Sequence, residues 1–213
     1  NIQKLYGKTL NLSASQIDRQ AECRMSYFLK YGLRAKERKE ATVDPAEFGT
    51  YVHAVLEQTA ADVMARGGFH HVSLEETMEI AAGHSEEYAR ERFSQIDSQR
   101  VSYLFRRNRR ELEMVVQELW QELKNARFQP ESLEFHFGED GQMEAISIPG
   151  SIPAVLRGYV DRVDVWQEDG RSYFRVIDYK TGKKNFDYCD ILSGVGLQML
   201  LYLFALGRGG RQG

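Results

Sequence analysis

Cysteine is nearly absent: Cys23 and Cys189 are the only two in 213 residues. That is too few for the disulfide framework of a small secreted domain, and it suits a reducing compartment. No apolar run approaches the roughly 20 residues that span a bilayer, and no charged-then-apolar signal segment opens the chain. The expected location is therefore cytoplasmic. A net charge of −3 excludes a protein whose whole surface is a glove for nucleic acid, but it leaves room for a local basic stripe. Internal repeats and low-complexity tracts are missing. So is a phosphate-binding P-loop, and the chain is not expected to hydrolyse ATP. What is present is an ordinary globular composition, 42% hydrophobic and 28% charged, at a length that suits one sizeable domain. The chain starts at Asn1 without Met and stops at GRGGRQG directly after an apolar segment, which reads as a fragment of a larger protein.

The front half has helical spacing. Residues 13–31 read as a helix capped by Ser13 or Ser15, with Ile17, Met25, Phe28 and Leu29 as a rough stripe. A polar connector, Arg34 to Asp44, precedes a second helix with Phe48, Val52, Val55, Leu56 and Val63 on its apolar side. The Gly67-Gly68 pair stops that helix. Two more helices are expected over 73–95 and 98–126, the latter holding Leu112, Val115, Val116, Leu119, Trp120 and Leu123. After Pro130 the pattern turns to short β runs: SLEFHFG, AISI, AVLRGYVDRVDVWQ and SYFRVIDYK. The last two predict a hairpin around Glu168-Asp169-Gly170, and GLQMLLYLFAL returns to helix. The organisation is one domain over 1–213, mainly helical over 12–126 and β with a closing helix over 130–206. The fold class is α/β, with a mixed sheet favoured over a doubly wound parallel one.

The chemistry concentrates at the hairpin. Asp161 and Asp164 lie on its first strand and Asp178 closes the second. Alternation sends Asp178 and Lys180 to one side and Tyr179 to the other. Asp161 and Asp178 on neighbouring strands repel unless a cation sits between them, and oxygen ligands select a hard ion, Mg²⁺ or Mn²⁺. A lysine beside that ion can orient or deprotonate a water, or stabilise charge developing on a phosphate. The competing reading of Asp178-x-Lys180 is an idle solvated salt bridge. Asp164 is expected to pair with Arg162 or Arg157 rather than bind metal. His53 reads either as a core histidine or as a ligand, and Gly49 one turn earlier lets its helix approach another element closely. His70, His71, His84 and His136 show no ligand spacing and are read as surface residues.

Together GYVDRVD, VIDYKTG and LQMLLYL resemble the nuclease domain of the RecB family in the PD-(D/E)xK, restriction-endonuclease-like superfamily. FGTYVHAVLE matches that family's histidine-bearing helix. LSASQIDRQAECRMSYFLKYGL looks like the segment that opens the nuclease domain in the AddB component of AddAB-type helicase–nucleases. The resemblance runs from Leu12 to about Leu206. It implies a mixed sheet flanked by helices, with a helical N-terminal half. Residue by residue it implies Asp161, Asp178 and His53 as metal ligands, with the Tyr179 carbonyl as a backbone ligand and Lys180 as the catalytic lysine. Gln198 and Tyr202 fall on the family's QxxxY motif, which organises the site and contacts the substrate strand. Glu134 matches an acidic position that often precedes this core.

The resemblance also implies a [4Fe–4S] cluster held by four cysteines in many such proteins. Cys23 falls on the first ligand position, although Arg24 stands where the family usually has proline. Cys189 falls where the family has no ligand. A cluster needs about four thiolates, so the intact protein would require three further cysteines beyond Gly213, and this chain is not expected to assemble one. Alternatively Cys23 simply packs in the first helix.

The concentrated basic run is RVSYLFRRNRRELEM. Arg106 and Arg110 share a helical face there, as do Arg100 and Arg107. They read either as phosphate contacts or as a solvated face paired to Glu111 and Glu113. Lys183 and Lys184, just past the site turn, are expected at the substrate backbone. Nothing reads bases.

The expected function is a Mg²⁺- or Mn²⁺-dependent deoxyribonuclease domain leaving 5′-phosphate ends on single strands of unwound DNA. Its parent would be a helicase–nuclease of double-strand break repair and recombination, with an AddA-type partner driving unwinding. Two alternatives stay open: a stand-alone RecB-like exonuclease of the CRISPR-adaptation kind, and a catalytically silent DNA-binding scaffold.

Overall fold

Three amphipathic helices dominate the computed structural model, which describes residues 5–36, 45–93, 99–138, 140–180 and 187–209. The side chains of 45–47, 93, 99–107, 208 and 209 are not described. In chain order the elements are β1 (Leu10–Leu12), α1 (Ala14–Glu22), α2 (Arg24–Tyr27) and a π-helical turn (Phe28–Gly32). Next come α3 (Pro45–Ala65), α4 (Leu74–Phe93), α5 (Gln99–Asn125), β2 (Gln129–Phe137), β3 (Ile146–Ile148) and β4 (Ala154–Leu156). The chain closes with β5 (Gly158–Glu168), β6 (Arg171–Ile177), α6 (Tyr188–Leu192) and α7 (Gln198–Gly209). They divide between two compact units. The first takes 1–40, 134–160 and 182–213, and the second takes 41–133 and 161–181. No helix among the described residues is long and apolar enough to cross a membrane.

The second unit is built on α3, α4 and α5. Their heptad-like apolar positions meet in one core: Val52, Val55, Leu56, Ala60 and Val63 from α3, Ile80 and Ala81 from α4, and Leu112, Val116, Leu119 and Leu123 from α5. Phe48, Val115, Trp120, Leu133 and Tyr179 pack against it. Every apolar residue that the spacing selects on α3 and α5 is in or against this core. A fully buried Val or Leu contributes about 1.5–3 kcal/mol, so this helical layer supplies most of the unit's hydrophobic stabilisation. Gly67 and Gly68 end α3 in the left-handed region, φ 104° and 90°. There the Gly68 N–H donates to the Val63 carbonyl at 2.9 Å, a closure that residues with a Cβ disfavour.

The hairpin is present where the sequence predicts it. Asp169 and Gly170 take φ 52° and 72°, the double left-handed turn that matches the twist of antiparallel strands. β5 and β6 then pair from Glu168↔Arg171 inward to Arg162↔Ile177, in a sheet of order β2-β5-β6.

In the first unit β1 runs parallel to β4, and β3 runs antiparallel to β4. This sheet is mixed, as expected, but it uses a strand, Leu10–Leu12, that the sequence reading leaves unassigned. The helix read over 13–31 is in fact broken. Ser13 caps α1 with a complete capping box to Gln16, yet Cys23 adopts an extended conformation (φ −157°, ψ 105°) and splits the run. β5 opens on Gly158 because a side chain there would collide with the Phe137 ring at 2.9 Å and Tyr202 at 3.2 Å.

Candidate active site

Three short segments of the second unit supply the chemistry: His53 from α3, Asp161 from β5, and Asp178 to Lys180 just past β6. Register does the positioning. Beyond the last paired residues, Arg162 and Ile177, the next step outward brings Asp161 beside Asp178. Strand alternation sends Arg162 and the Tyr179 ring to the opposite face, where they meet at 2.7 Å.

The Tyr179 peptide ties the site together. Its N–H donates to Asp161 Oδ2 at 2.6 Å, and its carbonyl accepts from His53 Nε2 at 2.9 Å. A carbonyl only accepts, so Nε2 carries the proton, and in the neutral ring Nδ1 holds a lone pair. That Nδ1 lies 3.5 Å from Asp161 Oδ2, so two acceptors face each other with room for a cation. Lys180 Nζ pairs with Asp178 Oδ2 at 2.5 Å; the lysine side chain is 43% exposed and the carboxylate 7%.

Burial pushes the Asp161 carboxyl above the usual carboxylate range. The Tyr179 N–H, His53 and Lys180 pull it down, while the neighbouring charge of Asp178 adds to the rise. A carboxylate held against desolvation beside a second acid, an imidazole nitrogen and a carbonyl oxygen is a donor set for a hard divalent ion. The residues fit Mg²⁺ or Mn²⁺.

Other expected residues lie elsewhere. Gln198 and Tyr202 belong to the first unit, on α7, where Gln198 Nε2 donates to Tyr202 Oη at 2.9 Å. Tyr202 is 5% exposed with its ring edge-on to Phe137, so what its geometry carries is packing. Glu134 also belongs to the first unit; it is half-buried on β2 with φ 47°, an uncommon conformation inside a strand. Cys23 is exposed, and its Sγ accepts from the Ser26 N–H at 3.5 Å. Arg110 is exposed on α5, whereas neighbouring Arg109 is engaged with Glu113 at 3.2 Å. The Arg106 side chain, and Lys183 and Lys184 altogether, lie outside what is described.

Two readings need correction. His84 and His136 are half-buried rather than surface residues: His84 Nε2 meets Asp62 Oδ2 at 2.9 Å, and His136 stacks on Tyr159 with ring centres 4.2 Å apart. Packing of α3 on α4, and pairing between strands, supply partners that spacing along the chain does not display. Asp164 does pair with Arg162, at 2.7 Å, but its second partner is Arg175, at 2.6 Å, and not Arg157. The sequence reading misses Arg175. Its signal is the hairpin register, which sets Arg175 directly across from Asp164.

A fold of mixed strands and flanking helices that brings Asp-x-Lys and a second aspartate to one strand end defines a nuclease of the restriction-endonuclease-like class. The chain belongs to the PD-(D/E)XK nuclease superfamily, whose family model matches residues 11–213. It is 35% identical over 213 residues to the AddB-type component of the ATP-dependent helicase/deoxyribonuclease of Clostridium novyi, covering 96% of this chain and 18% of that protein. Identity to the corresponding component is 34% over 219 residues in Caldanaerobacter subterraneus and 32% over 211 residues in Clostridium botulinum strain Okra, with the same coverage. The chain thus spans 18% of the length of these curated relatives.

Proposed function

We propose that this chain is the divalent-metal-dependent deoxyribonuclease domain of a helicase–nuclease component. The observation that carries the reading is the convergence of Asp161, Asp178, His53 and the Tyr179 carbonyl beside Lys180, from three separate segments. Asp161, Asp178, His53 and the Tyr179 carbonyl would hold Mg²⁺ or Mn²⁺. When bound, such an ion polarises a phosphodiester oxygen and acidifies a water.

The protein's own groups divide the remaining work. Asp161 and Asp178 concentrate negative charge where the ion must sit. His53 pins the Tyr179 peptide through Nε2, and the Tyr179 N–H fixes the Asp161 carboxylate. Lys180, half-exposed, has three N–H donors to turn toward a water or a non-bridging phosphate oxygen, opposing the charge that grows there. Gln198 and Tyr202 organise the neighbouring helix, and Glu134 is a supporting acid. Lys183, Lys184, Arg106 and Arg110 contact the DNA backbone without reading sequence. The parent protein processes DNA ends for double-strand break repair and recombination, with an AddA-type partner supplying ATP-driven unwinding. Cys23 is the first ligand of a [4Fe–4S] cluster if the intact protein carries one.

The test is cleavage of single-stranded DNA with Mg²⁺. Activity is expected, lost with EDTA and restored by Mn²⁺, while complete cleavage in excess chelator contradicts the reading. The metal requirement should also depend on pH. Ion and proton compete for Asp161, whose burial raises its proton affinity. Apparent Mn²⁺ affinity is therefore expected to fall about tenfold per pH unit below that raised range, beginning at a higher pH than an ordinary carboxylate would give. A Mn²⁺ requirement flat from pH 8 to pH 5 would remove Asp161 from the ligand set.

A further inference from the structure

Behind the catalytic face, on the other side of the hairpin, lies a charged network with no solvent around its centre. Arg162 and Asp164 are both 0% exposed. Arg162 grips Asp164 with two bonds, Nε to Oδ1 at 2.7 Å and Nη2 to Oδ2 at 3.0 Å. Arg175 adds two more to Asp164 Oδ2, at 3.0 Å and 2.6 Å, and is itself paired to Glu122 on α5 at 2.7 Å. The remaining arm of the Arg162 guanidinium, Nη1, donates to Tyr179 Oη at 2.7 Å. Two cations and two carboxylates balance.

Stability does not account for this arrangement. Replacing a buried ion pair by apolar side chains of similar volume is often neutral or stabilising by about 1–4 kcal/mol. Its cost makes sense if the network holds something in place, and its free arm ends on one group only, the Tyr179 phenol. Tyr179 is bound at three points: its hydroxyl to Arg162, its N–H to Asp161 and its carbonyl to His53. The first lies on the far face and the other two on the catalytic face.

We infer that Arg162, anchored by Asp164 and Arg175, is a positioning residue that fixes the Tyr179 peptide and thereby the metal-binding geometry, acting through the sheet without touching ion or substrate. This rests on the metal-site reading above. Tyr179→Phe deletes only the tether, whereas Arg162→Ala would strand Asp164 and prevent folding. Outer partners of metal ligands typically control affinity by about 10–100-fold. In calorimetric titration of the chain with Mn²⁺, Tyr179→Phe is expected to weaken binding tenfold or more. Val116→Ala, a core truncation on α5 in the same unit, serves as the control: it should lower the thermal midpoint at least as much and leave Mn²⁺ affinity unchanged. A change of less than threefold in Tyr179→Phe overturns the inference. So does a Val116→Ala variant that loses Mn²⁺ affinity to the same extent, since general loosening would then explain both. If the unaltered chain takes up no Mn²⁺, the metal-site reading itself has failed, a result distinct from either.

Discussion

Replacing Lys180 by alanine is expected to slow cleavage of single-stranded DNA about 10²–10⁴-fold at saturating metal, the usual contribution of a positioned proton-transfer or charge-stabilising side chain. Metal binding should move the other way. In the free protein the Lys180 ammonium occupies Asp178 Oδ2 at 2.5 Å, so an incoming ion competes with it for a ligand. Without the ammonium, Mn²⁺ affinity is expected to stay constant or rise while the rate collapses. Lys180→Arg should not restore the rate, because a planar fork delivers its donors in another geometry than a compact ammonium does. Single-turnover cleavage at several Mn²⁺ concentrations separates the two effects. Equal rates for Lys180→Ala and the unaltered chain would end the assignment of this lysine.

Asp161→Asn is expected to eliminate saturable Mn²⁺ binding, and cleavage with it, without destabilising the fold. The asparagine oxygen can still accept the Tyr179 N–H, so no buried donor is orphaned, a defect that would cost about 1–3 kcal/mol. The sign of the stability change follows from linkage. Burial raises the Asp161 carboxyl above its unfolded range, so the folded chain holds that proton more tightly than the unfolded chain does. Stability therefore falls as pH rises from the ordinary carboxylate range through the raised one, and at neutral pH the ionised side chain is a net cost. Its neutral replacement should unfold at the same temperature as the unaltered chain or a higher one. Such a trade of stability for function is common at active sites. A variant that melts much lower while still binding Mn²⁺ would make Asp161 a structural residue.

Much of this site was legible in the one-dimensional pattern, for a local reason. A two-residue Asp-Gly turn sets the register of the strands it joins, and register decides which carboxylates meet. Once Asp169 and Gly170 are read as the turn, Asp161 comes opposite Asp178 and Tyr179 faces away. The apolar sides of α3 and α5 were equally plain, since their spacing is that of a buried helix face. What could not be read came from pairing at a distance. Leu10–Leu12 is too short to announce itself and becomes a strand only against β4. Cys23 interrupts a helix that its neighbours' propensities would continue. The role of Arg162 depends on Tyr179, 17 residues on, and on Glu122 from a helix in another part of the sequence. Family resemblance drew attention to His53; the structure adds its hydrogen bond to the Tyr179 carbonyl.

Anomalous diffraction from crystals of the chain grown with Mn²⁺ examines the central claim most directly. One strong peak is expected, within bonding distance of carboxylate oxygens from Asp161 and Asp178, a ring nitrogen of His53 and the Tyr179 carbonyl oxygen. A fully occupied ion bound elsewhere, with those four groups uncoordinated, would contradict it.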